Sequence, residues 1–187
     1  MLGNLNGEEK IGYTLHRVRA GMDDGEIFDI AEVEIGNEET YSSARQRIKK
    51  IFCANLEKNF LKILNGENLG KVQPKSGIVY NSRLRREDSV INSWNYSSTY
   101  ILGLMKIFSD GSGLFMKIRE QIYKILKMSA AEEIVSSIGI AGGVVNSYSD
   151  GSVLIKTSDT AVKIFELADE NGKKILPREV LKIGMRL

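Results

Sequence analysis

The chain is short of the residues that announce a metal centre or a disulfide scaffold. Its 187 residues hold one cysteine, Cys53, and one histidine, His16. A lone cysteine forms no intramolecular bridge, so nothing points to an oxidising compartment. A zinc site needs three or four cysteine, histidine or carboxylate ligands, and His16 has no second histidine to share one; neither a metal nor a cofactor is expected. Long apolar runs are also missing. The longest, Tyr100 to Phe108 with one lysine inside it, falls far short of the roughly 20 residues that span a bilayer. The stretch Met1–Glu9 has neither the basic flank nor the apolar run of a signal peptide, so a cytoplasmic protein is expected. No sign of charge dominates: the net charge is +2, and a nucleic-acid partner would call for a strongly basic face. None is therefore expected. With only two prolines, the turns fall to glycine, asparagine and aspartate.

What is present reads as an ordinary globular chain, 42% hydrophobic and 27% charged, which argues against disorder. One domain over 1–187 is expected, with 142–187 as a candidate all-β subdomain. The fold class is α+β: an N-terminal β-hairpin, a long amphipathic helix, a central helical segment and a C-terminal antiparallel β-meander. The hairpin joins Ile11–Arg19 to Ile27–Ile35 across the turn signal Asp23-Asp24-Gly25. From Thr40 to Leu64 the period becomes helical, with Tyr41, Ala44, Ile48, Phe52, Leu56, Phe60 and Ile63 on one face. That face takes in the neighbouring Cys53 as a buried, inert thiol. Leu84, Val90, Ile91 and Trp94 suggest a helix interrupted near Asn92. The helical centre runs from Tyr100 to Phe108 and again from Leu114 to Leu126, where Leu114, Phe115, Ile118, Ile122, Ile125 and Leu126 form an apolar stripe opposite Lys117, Glu120 and Lys124. Ser129 and Glu132 have capping-box spacing for a short helix to Ile138. The meander pairs Val144–Ser149 with Ser152–Thr157 across Asp150-Gly151, and Val162–Ala168 with Lys173–Leu176 across Asn171-Gly172. Val180–Ile183 would add a last strand.

The chemistry-bearing residues are sparse. Tyr123 and Lys127 have the spacing of short-chain dehydrogenases, but no glycine-rich nucleotide turn follows a first strand. Gly139–Gly143 leads into a strand, so it lacks the free helix N–H groups of a phosphate loop. Arg83, Arg85 and Arg86, near Tyr80 and Trp94, form the sharpest basic cluster and a candidate anion site. Glu87 and Asp88 follow at once and offer these arginines partners.

Between Tyr80 and Thr157 the chain resembles the vinyl-reductase-type, or hydrocarbon-binding, domain family. The resemblance is carried by Gly103, Gly111, Gly113, the Ser129–Ile138 segment, Gly139, Gly142-Gly143-Val144-Val145 and the Asp150-Gly151 hairpin. It covers less than half the chain, and no metal-binding cysteines follow the sheet as they do in that family. It implies an apolar small-molecule pocket without catalysis. The leading expectation is thus a non-enzymatic binding module whose pocket is lined by Tyr96, Tyr100, Leu104, Phe108, Phe115 and Ile118, which as a bland alternative are simply core. A second reading is an assembly subunit of a viral particle or multiprotein complex, or a homo-oligomer, joined through exposed strands. A third is an enzyme whose acid–base groups lie among His16, Asp23, Asp29, Glu32 and Arg83 and meet only on folding.

Overall fold

A computed structural model describes residues 9–36, 39–77, 84–109, 111–131 and 139–187. The chain divides into two compact units, Glu8–Ser82 and a second from Arg83 to Leu187. The architecture is α+β throughout.

In the first unit, strands β1 (Lys10–His16) and β2 (Ile27–Glu34) pair antiparallel, and α1 (Tyr41–Leu64) packs on them. Thr40 caps α1 by accepting the Ser43 N–H. Ala44 and Ile48 are buried on the hairpin, with Ile51, Phe52, Asn55, Asn59 and Ile63 half-buried below them. The apolar face expected from the sequence is only partly the packed one: Leu56 is exposed and Phe60 is 56% exposed. A four-residue step overshoots a helical turn by roughly 40°, so the series from Ala44 through Ile48, Phe52 and Leu56 to Phe60 drifts off the contact. Cys53 lies one residue round from Phe52 and is exposed, against the expectation of a buried thiol.

The contact itself is partly polar. The Tyr13 ring meets Phe52 edge-on with centroids 5.1 Å apart. Its hydroxyl donates to Asp29 at 2.5 Å and receives an N–H from Asn55 at 3.1 Å. Asn59 donates to the same Asp29 oxygen at 2.6 Å. Burial, reinforced by the Asp29 carboxylate, holds the Tyr13 phenol above its ordinary pKa.

The second unit begins with a 3-10 turn (Arg86–Ser89) and β3 (Val90–Ile91), followed by α2 (Ser98–Phe108). Then come β4 (Leu114–Ile118), β5 (Gln121–Ala130), β6 (Val144–Ser147), β7 (Val153–Lys156), β8 (Ala161–Ala168), β9 (Lys174–Ile175) and the short α3 (Pro177–Val180). The described strands form one sheet in the order β3-β4-β5-β8-β7-β6, with β9 added to β8. β3 and β4 are parallel, and the other pairs antiparallel. Ile101, Leu104 and Ile107 of α2 join Trp94, Met116, Ile125, Val153, Ile164 and Leu167 in the core.

Several sequence-based expectations change here. Leu114–Leu126 is a β-hairpin, not a helix. Its residues fit both periods: Leu114, Met116 and Ile118, then Tyr123 and Ile125, alternate inward as a strand requires. Pairing with the non-local strand β8 decides between them, and the β-branched and aromatic residues favour the same outcome. Ser129 and Ala130 finish β5, so no helix starts there; residues 132–138 of that expected helix lie outside the described residues. Leu84–Trp94 is a 3-10 turn and a short strand instead of a broken helix. Pro177 opens α3, displacing the expected last strand. The hairpins at Asp150-Gly151 and Asn171-Gly172 form as expected.

One carboxylate pins α2 to the sheet. Asp159, in the turn between β7 and β8, accepts hydrogen bonds at 2.8 Å from the Ser98 N–H, the Thr157 hydroxyl and the Thr160 N–H. Desolvation opposes its ionisation, but these donors outweigh it and bring the carboxyl down to about 2. A depressed carboxyl stabilises the fold above its unfolded pKa and loses that contribution as pH falls through the folded one. The group is exposed and screened, so its contribution is about 1 kcal/mol. Asp159→Asn should therefore melt a few degrees lower than the parent at pH 7, and the gap should close as pH drops from 4 towards 2. A gap independent of pH would show that charge is not what the turn uses.

Candidate functional site

A groove of about 760 Å³ in the second unit is walled by β3 and the segment after it, by the end of the β4–β5 hairpin, and by the C-terminal residues. Lys117, Arg119 and Arg186 stand around it with Asn92, Ser93 and Asn95, and no Asp or Glu side chain is among the described lining residues. Ile122 and Ile140 give it an exposed apolar wall. Each cation is placed by backbone. Arg119 is in the two-residue turn between Ile118 and Gln121 and has a φ of 56°, a left-handed conformation uncommon outside glycine. Arg186 is fixed by the ladder linking the tail to β6: Val144 N–H to Met185 O at 2.9 Å and Leu187 N–H to Gly142 O at 3.0 Å. Gly142 is required there, since a Cβ would approach the Leu187 carbonyl oxygen to 2.7 Å. Lys117 has a weak exposed partner in Glu120 at 3.4 Å. Among the described residues neither Arg119 nor Arg186 has an ion-pair partner. Two arginines with no ion-pair partner among the described residues, beside a lysine that has only a weak exposed one, favour an anion.

A second constellation lies in the first unit. The loop between β1 and β2 brings the imidazole of His16 to 3.6 Å from the carboxylate of Asp23, and Asp23 has a left-handed φ of 52°. The other acid–base candidates are engaged elsewhere. Asp29 is committed to Tyr13 and Asn59, Glu32 makes an exposed pair with Lys10 at 3.8 Å, and Arg83 lies outside the described residues. Arg85 and Arg86 are exposed; Asp88 accepts the backbone N–H of Arg85 at 2.6 Å, and among the described residues no ion pair joins it to a guanidinium.

Of the residues expected around an apolar pocket, Leu104 and Ile118 belong to the core, and Tyr100 and Phe108 pack against it. The Tyr96 and Tyr100 rings lie 4.6 Å apart. As strand residues three apart, Phe115 and Ile118 point to opposite faces of β4, where a helix would have put them side by side. The groove cations went unnoticed because Lys117 and Arg186 are far apart in sequence and the helical reading of 114–126 placed Lys117 on a solvated face.

Residues 83–183, more than half of the chain, match the formyl transferase C-terminal domain family, and the chain belongs to that family. Among curated proteins it is similar to methionyl-tRNA formyltransferase of Polynucleobacter asymbioticus, 23% identical over 94% of this chain and 53% of that protein. It is also similar to methionyl-tRNA formyltransferase of Fusobacterium nucleatum, 26% identical over 98% of this chain and 60% of that protein. The chain thus spans a little over half the length of these relatives. Among solved structures, the N-formyltransferase of Helicobacter canadensis, in complex with folinic acid and dTDP-3-aminofucose, shares the fold at a TM-score of 0.64 and 21% identity, over 87% of this chain and 58% of that one. A sugar 3N-formyl transferase, WlaRD, solved with dTDP and 5-N-formyl-THF, matches at a TM-score of 0.61 and 25% identity over 90% and 58%.

These matches overturn the resemblance to the vinyl-reductase-type family, which rested on glycine positions and on a helical reading that the strands β4 and β5 replace. They also overturn the expectation of a non-enzymatic binding module and that of an assembly subunit, since the relatives are formyltransferases. The neighbours bind small molecules, and no described helix is long and apolar enough to cross a membrane.

Proposed function

We propose that this chain serves formyl transfer to the amino group of methionyl-tRNA, the reaction for which its curated relatives are named. The observation that carries this reading is that the likeness to methionyl-tRNA formyltransferases runs through both units, over 94% and 98% of the chain, instead of stopping at the C-terminal domain. Two features of the geometry support it. The groove bearing Lys117, Arg119 and Arg186 suits a phosphodiester backbone, which the near-neutral net charge of the whole chain concealed. In the other unit His16 lies beside Asp23. An amine that attacks a formyl carbon must give up a proton, and an imidazole beside a carboxylate is a fit acceptor for it.

Two measurements test this. The full protein, given a formylated tetrahydrofolate and methionyl-tRNA, should yield formyl-methionyl-tRNA. Formylation of an amino-sugar nucleotide with none of methionyl-tRNA would overturn the assignment in favour of the sugar branch. Binding of methionyl-tRNA should also weaken with salt. Replacing Lys117, Arg119 and Arg186 together by alanine should flatten the slope of log K against log salt by roughly 2–3, at about 0.7–0.9 per phosphate contact. An unchanged slope would remove the groove from the RNA path.

A further inference from the structure

The loop that carries Asp23 is fastened by one side chain distant in sequence. Its neck closes where the Arg17 N–H donates to the Glu26 carbonyl at 2.9 Å. Beyond the neck, the side-chain amide of Gln73 donates to two loop carbonyls, Asp23 O at 2.7 Å and Gly25 O at 2.6 Å. Both N–H groups of one amide are thus used on the two sides of one turn.

Gln73 is delivered to this place by a rigid strap. Lys71 and Ile27 exchange backbone hydrogen bonds at 2.7 and 2.8 Å. Asn68 donates its side-chain amide to the Phe28 carbonyl at 3.0 Å and accepts the Gly70 N–H with its own oxygen at 3.0 Å. Gly70, with a φ of +83°, lies so close to the loop that a Cβ would come within 2.6 Å of the Glu26 Cβ. The strap cannot slide, so the amide arrives at a fixed point. Asp23 needs such support, because a residue in the left-handed region persists only where its surroundings over-determine it. Its carboxylate is open to solvent, and the His16 imidazole lies 3.6 Å from it.

We infer that Gln73 is the positioning residue of the His16–Asp23 pair: by holding the Asp23 and Gly25 carbonyls it keeps Asp23 left-handed and its carboxylate turned to the imidazole. The inference rests on the reading above that this pair takes the proton of the acceptor amine, and it adds to that reading the group that sets the pair's geometry. A glutamate at this position keeps the shape but has no N–H and would face two carbonyl oxygens with a negative charge. Gln73→Glu should therefore be at least as damaging as Gln73→Ala, which a purely steric role would not give.

The test uses the full protein in two assays. In methionyl-tRNA formylation, Gln73→Ala and Gln73→Glu should each lower kcat by about 10²-fold, as a misplaced reacting group does, with KM for methionyl-tRNA changed less than about twofold because uniform binding is untouched. Combining Gln73→Ala with Asp23→Ala should cost no more than Asp23→Ala alone, since the two act as one unit. Parental turnover in Gln73→Glu, or losses that add in the double variant, would overturn the proposal. The second assay, amide hydrogen exchange, needs no activity. Gln73→Ala should speed exchange of the Arg17 amide, whose bond to the Glu26 carbonyl closes the loop, and leave Ala44 and Ile48 of α1 unchanged. If the parent protein forms no formyl-methionyl-tRNA, the proposed function fails by itself and exchange decides on Gln73: unaltered protection at Arg17 would overturn its role.

Discussion

Ile164→Asp is expected to unfold the unit from Arg83 to Leu187, whereas Ile122→Asp should leave it folded. Ile164 is fully buried in β8, a strand paired on both sides with β5 and β7. An aspartate there has no partner and no water. Burying an unpaired carboxylate costs several kcal/mol, comparable with a whole domain stability of about 5–15 kcal/mol. Ile122 lies in the same sheet but is 52% exposed, and a surface substitution usually stays within about 0.5 kcal/mol. The chain's one tryptophan reports on this directly. Trp94 is 5% exposed and belongs to the same core cluster as Ile164, so its emission should shift to the red in Ile164→Asp and stay put in Ile122→Asp. Ile122 also lines the cationic groove, so its aspartate variant should bind methionyl-tRNA more weakly while melting normally. Equal melting of the two variants would mean that β8 does not bury Ile164 while the β4–β5 hairpin exposes Ile122.

Gly25→Ala is expected to have the largest effect in the other unit. A Cβ on Gly25 would fall 1.7 Å from the carbonyl oxygen of Arg17 and 2.6 Å from its carbonyl carbon. Both are backbone atoms of the loop neck, so no rotamer change relieves the overlap. The neck must open, the Arg17–Glu26 hydrogen bond is lost, and the two carbonyls held by Gln73 move with it. Overpacking of this kind costs typically 1–3 kcal/mol or more. Opening by 1.4 kcal/mol raises the population of the cleavable state about tenfold, so trypsin should cut after Arg17 and Arg19 at least about ten times faster than in the parent. Gly66→Ala is the control: Gly66 has a positive φ of 71°, but nothing lies within 4 Å of a built Cβ. It should leave cleavage at the loop unchanged. Similar rates for both variants would show that the neck tolerates a side chain.

The hairpin, the long helix and the C-terminal turns were legible because their signals are local. Asp23-Asp24-Gly25, the Thr40 cap and the Asp150-Gly151 and Asn171-Gly172 dipeptides each specify backbone within a few residues. The stretch Leu114–Leu126 was not, because its apolar residues satisfy a 3.6-residue and a two-residue period at once. The face of α1 was legible near Ala44 and Ile48 and misleading towards Phe60, where a four-residue repeat leaves the contact. The candidate sites were the least legible. His16 and Asp23 stood in the sequence as one of several acid–base choices, and only the loop singles them out. Gln73 carried no signal, since an amide that donates to two carbonyls looks like any polar residue of a turn-rich connector.

By itself, then, the sequence determined the local states: which segments turn, where α1 begins and ends, and that no disulfide scaffold could form. The tertiary structure alone decided the rest. It made strands of β4 and β5 by offering β5 the edge of β8 and β4 the edge of β3, exposed Cys53 and Ile122, and gathered Lys117, Arg119 and Arg186 around one groove. The physical reason is range. Turn and capping preferences act between neighbours in the chain, whereas strand pairing, burial and the grouping of charges depend on residues that are distant in sequence and become neighbours only when the sheet forms.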